Sequence, residues 1–291
     1  MALFDDITVR LARARATRKA QPTAAVAALA GDLPRPEPLA ADTEAGKVAL
    51  RLFRPEGAGT DAPVYINFHG GGFVLRAPEM DDHICRGLAA RLGCVVLSPD
   101  YATAPGARFP AAPTQALALG WWASFAGRKL GWDGKRIALG GQGAGANLAI
   151  GACLDLPARM GFKPRGVVAT SPLLDLAQPP QGLSRLARAG LAAYLPDPVA
   201  RAAPLASPLR AETLAGFPPT LLAFGATDPW RGQGEAFADR LRQAGANPQV
   251  RIAPGAGHRV LHAGPTDAAA EVLAAMSDFL APLFAGARGG S

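Results

Sequence analysis

Seven short apolar runs rich in β-branched residues, at 48–53, 64–68, 94–98, 136–139, 167–170, 220–224 and 249–253, recur along the chain with helix-length stretches between them. Strands buried on both faces read as continuous apolar runs, and two parallel neighbours need a crossover, usually a helix, to return the chain. The alternation therefore predicts a mainly parallel sheet flanked by helices on both faces. Helices are predicted at 81–92, 114–125, 144–154, 234–244 and 266–284, each long enough to cross back over the sheet. With 291 residues, 49% of them hydrophobic, the chain can bury one extended core.

Two segments fit this scheme badly. The first is 1–45, and the second is 178–208, where Pro179, Pro180, Pro196, Pro198, Pro204 and Pro208 interrupt any long helix. Both are read as a small cap above the carboxyl edge of the sheet. The expected division is thus an N-terminal cap segment at 1–45, a main domain at 46–285 with a cap insertion at 178–208, and a flexible tail at 286–291.

Charge and cysteine content narrow the function classes. The net charge of +7 comes from 30 basic residues spread along the chain, without a clustered face interleaved with aromatics, so no nucleic-acid partner is expected. The densest basic stretch, 10–19, lies beside Phe4, Ile7 and Leu11, whose spacing forms one apolar side of a helix. A membrane-surface helix has this pattern, but a lid helix packed on its own domain explains it more simply. Asp5 and Asp6 argue against a secretory signal. No run reaches the ~18 uninterrupted apolar residues of a bilayer span, and a cytoplasmic protein is expected. Cys85, Cys94 and Cys153 show neither a metal-binding nor a disulfide spacing and read as buried thiols. No metal or organic cofactor is implied, and a homodimer is allowed but not required.

The chemistry concentrates in three places. The strand at 136–139 runs directly into Gly140-Gly141-Gln142-Gly143-Ala144-Gly145-Ala146-Asn147-Leu148 and then a helix, the strand, sharp turn and helix context of a nucleophile elbow. His69-Gly70-Gly71-Gly72-Phe73 follows the strand at 64–68, so its glycine amides would lie at the same sheet edge, where bare amides can approach a developing oxyanion. Asp228 and His258 each follow a late strand, and position 143, Asp228 and His258 occur in the chain order nucleophile, acid, histidine.

With these motifs the chain resembles the hormone-sensitive-lipase-like branch of the α/β-hydrolases, which includes bacterial carboxylesterases. The residues that carry the resemblance are 69–72, Asp100-Tyr101 with Ala104-Pro105, Phe109-Pro110-Ala111-Ala112, the elbow at 141–148, Ser171-Pro172, Asp228-Pro229 and His258. The likeness spans roughly 45–285. It implies an α/β fold with an eight-stranded-type sheet and a small helical cap, and a small-molecule ester or acyl-like ligand, by default a short or medium acyl ester. It also implies an oxyanion hole from the amides of Gly71, Gly72 and Ala144, with Asp228 orienting His258 as general base and acid. Phe73, Gln142 and Trp230 are the expected substrate-binding residues, and His69 is expected to hold the loop.

The chain departs from the family pattern at two elbow positions: Gln142 stands where aspartate is common, and Gly143 stands where the nucleophilic serine belongs. Glycine tolerates strained backbone angles, so the turn can persist without the hydroxyl. Three explanations stay open: a deliberate substitution of a parent serine, a natural pseudoenzyme that binds a ligand or partner, and a catalyst in which His258 acts as base without a covalent intermediate. Among other candidates, Ser98 and Ser171 precede prolines and read as turn residues, and His83 reads as a surface or capping group. His262 is expected to line the pocket, and Trp121 and Trp122 to pack in the core.

Overall fold

The computed structural model describes residues 16–17, 20–30 and 35–285. The expected tail at 286–291 and most of the basic amphipathic stretch at 4–19 lie outside them. Eight strands form one sheet in the order β1-β2-β4-β3-β5-β6-β7-β8. They are β1 Glu37–Thr43, β2 Gly46–Phe53, β3 Val64–Phe68, β4 Val95–Pro99, β5 Ile137–Gln142, β6 Val167–Thr170, β7 Thr220–Gly225 and β8 Gln249–Ala253. The β1/β2 and β2/β4 pairs are antiparallel, and every other pair is parallel.

The helices used below are α1 Ala24–Ala27, α2 Asp82–Leu92, α3 Ala111–Leu130, α4 Ala144–Met160, α5 Arg185–Tyr194, α6 Arg231–Gln243, α7 Val260–Ala263 and α8 Thr266–Ala285. Each face of the sheet has its own core. Ile84 and Leu88 of α2 join Val272, Leu273 and Met276 of α8 on one face, while α3, α4 and α6 supply Leu119, Ile150 and Phe237 on the other. By length and composition α8 could cross a membrane, but half of its apolar window is buried within the protein. Its apolar residues are spent on the core it shares with α2.

The sheet begins earlier than the sequence suggests. Strand β1 falls inside 1–45, the range read as cap, and hydrogen-bonds to β2 through a complete antiparallel register. Its run Glu37-Pro38-Leu39-Ala40-Ala41-Asp42-Thr43 has little β-propensity, a proline and mostly exposed side chains, which an edge strand tolerates. Of the rest of that range, Ala16 and Ala20 line the cavities described below. The 178–208 insertion contains α5, whose start is capped by Ser184 accepting the Ala187 N–H at 3.1 Å. Prolines flank this helix and leave its interior free.

Candidate active site

The elbow is built by close approach. β5 ends at Gln142 and α4 starts at Ala144, leaving Gly143 alone to reverse the chain at φ 55°, ψ −110°. A side chain at Gly145 would collide with the Phe68 carbonyl oxygen, so only glycine lets α4 sit against the end of β3. Gly143 N–H bonds Thr170 O at 2.9 Å, and Asn147 Nδ2 donates to Leu173 O and Ala206 O, tying the turn to the end of β6, the loop after it and the 178–208 insertion.

At position 143 there is room for more than a hydrogen. A Cβ placed there would lie 3.5 Å from His258 Nε2 and 3.6 Å from Leu173 Cδ1, both ordinary contacts. His258 Nδ1 lies 3.0 Å from Asp228 Oδ1, which also accepts the Trp230 N–H at 2.9 Å. The Asp228 side chain is fully buried, whereas that of His258 is 35% exposed and faces the cavity. Burial by itself would raise the Asp228 pKa. The hydrogen bond and charge of His258, with the Trp230 N–H, outweigh burial and hold the carboxyl below its ordinary value. The nearby Ser171 hydroxyl contributes too, although its Oγ falls outside hydrogen-bond geometry. Ser171 has φ 50°, so it is a turn residue that is also electrostatically part of the site.

The glycine loop reaches the same place. Gly71 and Gly72 have φ 108° and 60°, and with Gly143, Ala144 and His258 they line a cavity of about 370 Å³. The amides of Gly71, Gly72 and Ala144 make no hydrogen bond among the described residues. His69 is buried, bonds Gly70 O through Nδ1 at 2.7 Å and stacks on Tyr101, whose hydroxyl donates to His69 O at 2.8 Å. Burial lowers the His69 pKa, so its ring is a neutral support for the loop.

A second, mainly apolar cavity of about 410 Å³ opens from the first under α5. Phe73 and Trp230 line it and are nearly buried. Phe73 holds φ 63° and stacks on Tyr194 at the end of α5, with ring centroids 4.0 Å apart and planes 4° from parallel. The glycine loop and α5 are thereby packed as one unit. Gln142 is buried and lines the smaller cavity, with neither carboxamide atom hydrogen-bonded.

The structure departs from sequence expectation at the remaining histidines. His83 is not a surface group: it is 4% exposed, and its Nε2 donates to Leu261 O at 2.6 Å. Burial, then the charge of His262, pushes it down to about 4. His262 lines the smaller cavity, but it also forms a second carboxylate–imidazole pair, Nε2 to Asp81 Oδ1 at 2.8 Å, with Asn67 Nδ2 on Oδ2 at 2.9 Å. Despite burial, the bond and charge from His262 leave the Asp81 pKa below its ordinary value. The only sequence signal for this pair was the four-residue spacing of His262 from His258; nothing local marks Asp81. Trp122 is core, as expected, and Trp121 is partly buried against the same apolar cluster. Cys85, Cys94 and Cys153 are buried free thiols whose pKa values burial raises, Cys94 to about 12. The described residues contain no group of three or more His, Cys, Asp or Glu placed to hold a metal.

Residues 65–262 match the family model of the alpha/beta hydrolase fold. The carboxylic ester hydrolase LipN of Mycobacterium tuberculosis is 33% identical over 267 residues, covering 86% of this chain and 69% of that protein. Human hormone-sensitive lipase is 35% identical over 142 residues, 48% of this chain and 13% of its own length. An esterase structure from the archaeon Pyrobaculum calidifontis superposes with a TM-score of 0.85 at 28% identity, over 94% of this chain and 91% of that one.

Proposed function

Because this chain belongs to the hormone-sensitive-lipase-like branch of the α/β-hydrolases, a family of carboxylic ester hydrolases, we propose that its site holds a short or medium acyl ester which it binds far better than it cleaves. The observation that carries this reading is the pairing of an intact, ordered His258–Asp228 dyad with a glycine at the position the imidazole addresses. In the proposed complex the ester carbonyl oxygen accepts from the amides of Gly71, Gly72 and Ala144, at the positive end of α4. The apolar half lies under α5 against Phe73 and Trp230.

A serine at 143 would attack the carbonyl carbon and pass its proton to His258, which returns it to the departing alcohol as the ester C–O bond breaks. Water, activated by the same imidazole, would then open the acyl-enzyme and release the acid. Glycine supplies no such atom. What remains is positioning and oxyanion stabilisation, which elsewhere leave only ~10³ over the uncatalysed rate when a nucleophile is lost.

A second reading rests on the free space beside His258 Nε2. A water there would be within reach of the imidazole, which could activate it for direct attack on the bound ester. Hydrolysis of an aryl butyrate ester by the chain as it stands, by Gly143→Ser and by His258→Ala separates the two. Recovery in the serine variant alone supports a disarmed esterase. Turnover by the glycine form that disappears in His258→Ala supports water activation. Intact folding with no turnover and no ester binding in any variant refutes both.

A further inference from the structure

The two connected cavities differ in chemistry. The one beneath α5 is walled mainly by leucines, Phe73 and Trp230. The one around Gly143 adds Gln142, His262 and Arg259, and among its described lining residues Arg259 is the one permanent charge. Among the described residues no aspartate or glutamate lines either cavity; Asp228 and Asp81 stand behind their histidines.

Arg259 is half-buried, and its Nη2 donates to Ala20 O at 2.8 Å and Gln21 O at 3.1 Å. These bonds engage one corner of the guanidinium. Among the described residues no carboxylate pairs with it, unlike Arg51 with Asp82 or Arg210 with Asp175 elsewhere in the chain. Burial lowers its pKa, and among the described residues no anion offsets the lost hydration. A guanidinium keeps five donors in a planar fork, so further N–H groups stay available for a carboxylate.

We propose that the ligand of this site is an ester that also carries a carboxylate, its apolar part under α5 and its anion on Arg259. The inference rests on the ester-binding reading above and adds the charge of the ligand. An uncharged ester fills the apolar side and leaves the arginine unpaired. A half-ester of a short dicarboxylic acid satisfies both sides at once, and the flanking unpaired amides at Gly71, Gly72 and Ala144 reinforce the preference for negative charge.

The test is a calorimetric titration of the chain as it stands with two matched probes, monobutyl succinate and its uncharged methyl ester. The half-ester should bind about tenfold tighter or more, as expected for a charge-assisted contact. That preference should weaken in 1 M salt, where charges are screened beyond about 3 Å. In Arg259→Met the affinity ratio should fall to about one, and Arg259→Lys should retain part of it. Equal affinity for both probes in the unaltered chain overturns this proposal while leaving the ester-binding reading standing. Binding of neither probe overturns that reading, and this one with it. A preference that persists in Arg259→Met assigns Arg259 only to fastening Ala20 and Gln21, and also overturns the proposal.

Discussion

Restoring a hydroxyl at position 143 tests the central argument most directly. A Cβ there sits 3.5 Å from His258 Nε2, so an Oγ one bond further falls within the ~2.6–3.2 Å reach of a general base without moving the imidazole. Losing a serine nucleophile typically costs ~10⁶ in turnover, about 8 kcal/mol of barrier at ~1.36 kcal/mol per decade. Gly143→Ser should recover at least ~10⁴ of that in hydrolysis of an aryl butyrate ester. The gain carries a structural cost, because φ 55° with ψ −110° is strained for any residue with a Cβ, by about 1–3 kcal/mol. The melting temperature should therefore fall by roughly 2–10 °C. Gly143→Ala bears the same strain without the oxygen, so it should lose comparable stability and gain no activity. A serine variant that keeps its fold, shows the expected loss of stability and still gains less than tenfold would refute the claim that His258, Asp228 and the loop amides form a working acyl-transfer site.

Other perturbations probe the supports of the site. His83 is pushed down to about 4 by burial, so between that value and about 6.5 the unfolded chain binds the extra proton. Stability should then rise with pH across this window and be lost as pH falls through it, by up to about 3 kcal/mol, with Asp81 and Asp228 adding a further loss below their ordinary range because their folded pKa values are depressed. Urea unfolding at about pH 7 and about pH 4.5 should show this, with a smaller difference in His83→Phe. Asp81→Asn leaves the His262 ring buried beside a weakened partner and should cost about 3–5 kcal/mol in chemical denaturation. Gly145→Ala drives a methyl group into the Phe68 carbonyl, and soluble, folded yield should collapse while Gly161→Ala, where a Cβ meets nothing within 4 Å, is tolerated with only the mild strain of φ 63°.

Much of the fold was legible because burial on both faces writes itself into sequence. β3, β6 and β8 fall on the predicted residues, and α2, α4 and α8 start within one residue of prediction. β1 escaped because an edge strand needs no apolar run, and β1 carries a proline and mostly exposed side chains. His83 was misplaced for a related reason: its neighbour Asp82 pairs with Arg51, which makes the helix end look polar, while one position further round the side chain turns inward to Leu261.

The sequence alone determined the alternation of strands and crossover helices from β2 onward, the glycine-lined turns and the absence of a hydroxyl at 143, since each depends on local periodicity or on a side chain that is simply missing. Only the tertiary structure decided which distant groups meet. The resemblance already pointed to Asp228 as the partner of His258, and the fold brings them to 3.0 Å; nothing in the chain pointed to Asp81, which comes to 2.8 Å from His262 across 181 residues. The joining of Phe73 to Tyr194 and the placing of Arg259 beside the cavity are likewise products of packing. Such contacts follow from how the helices close over the sheet edge, and no spacing along the chain encodes which carboxylate a buried imidazole will find.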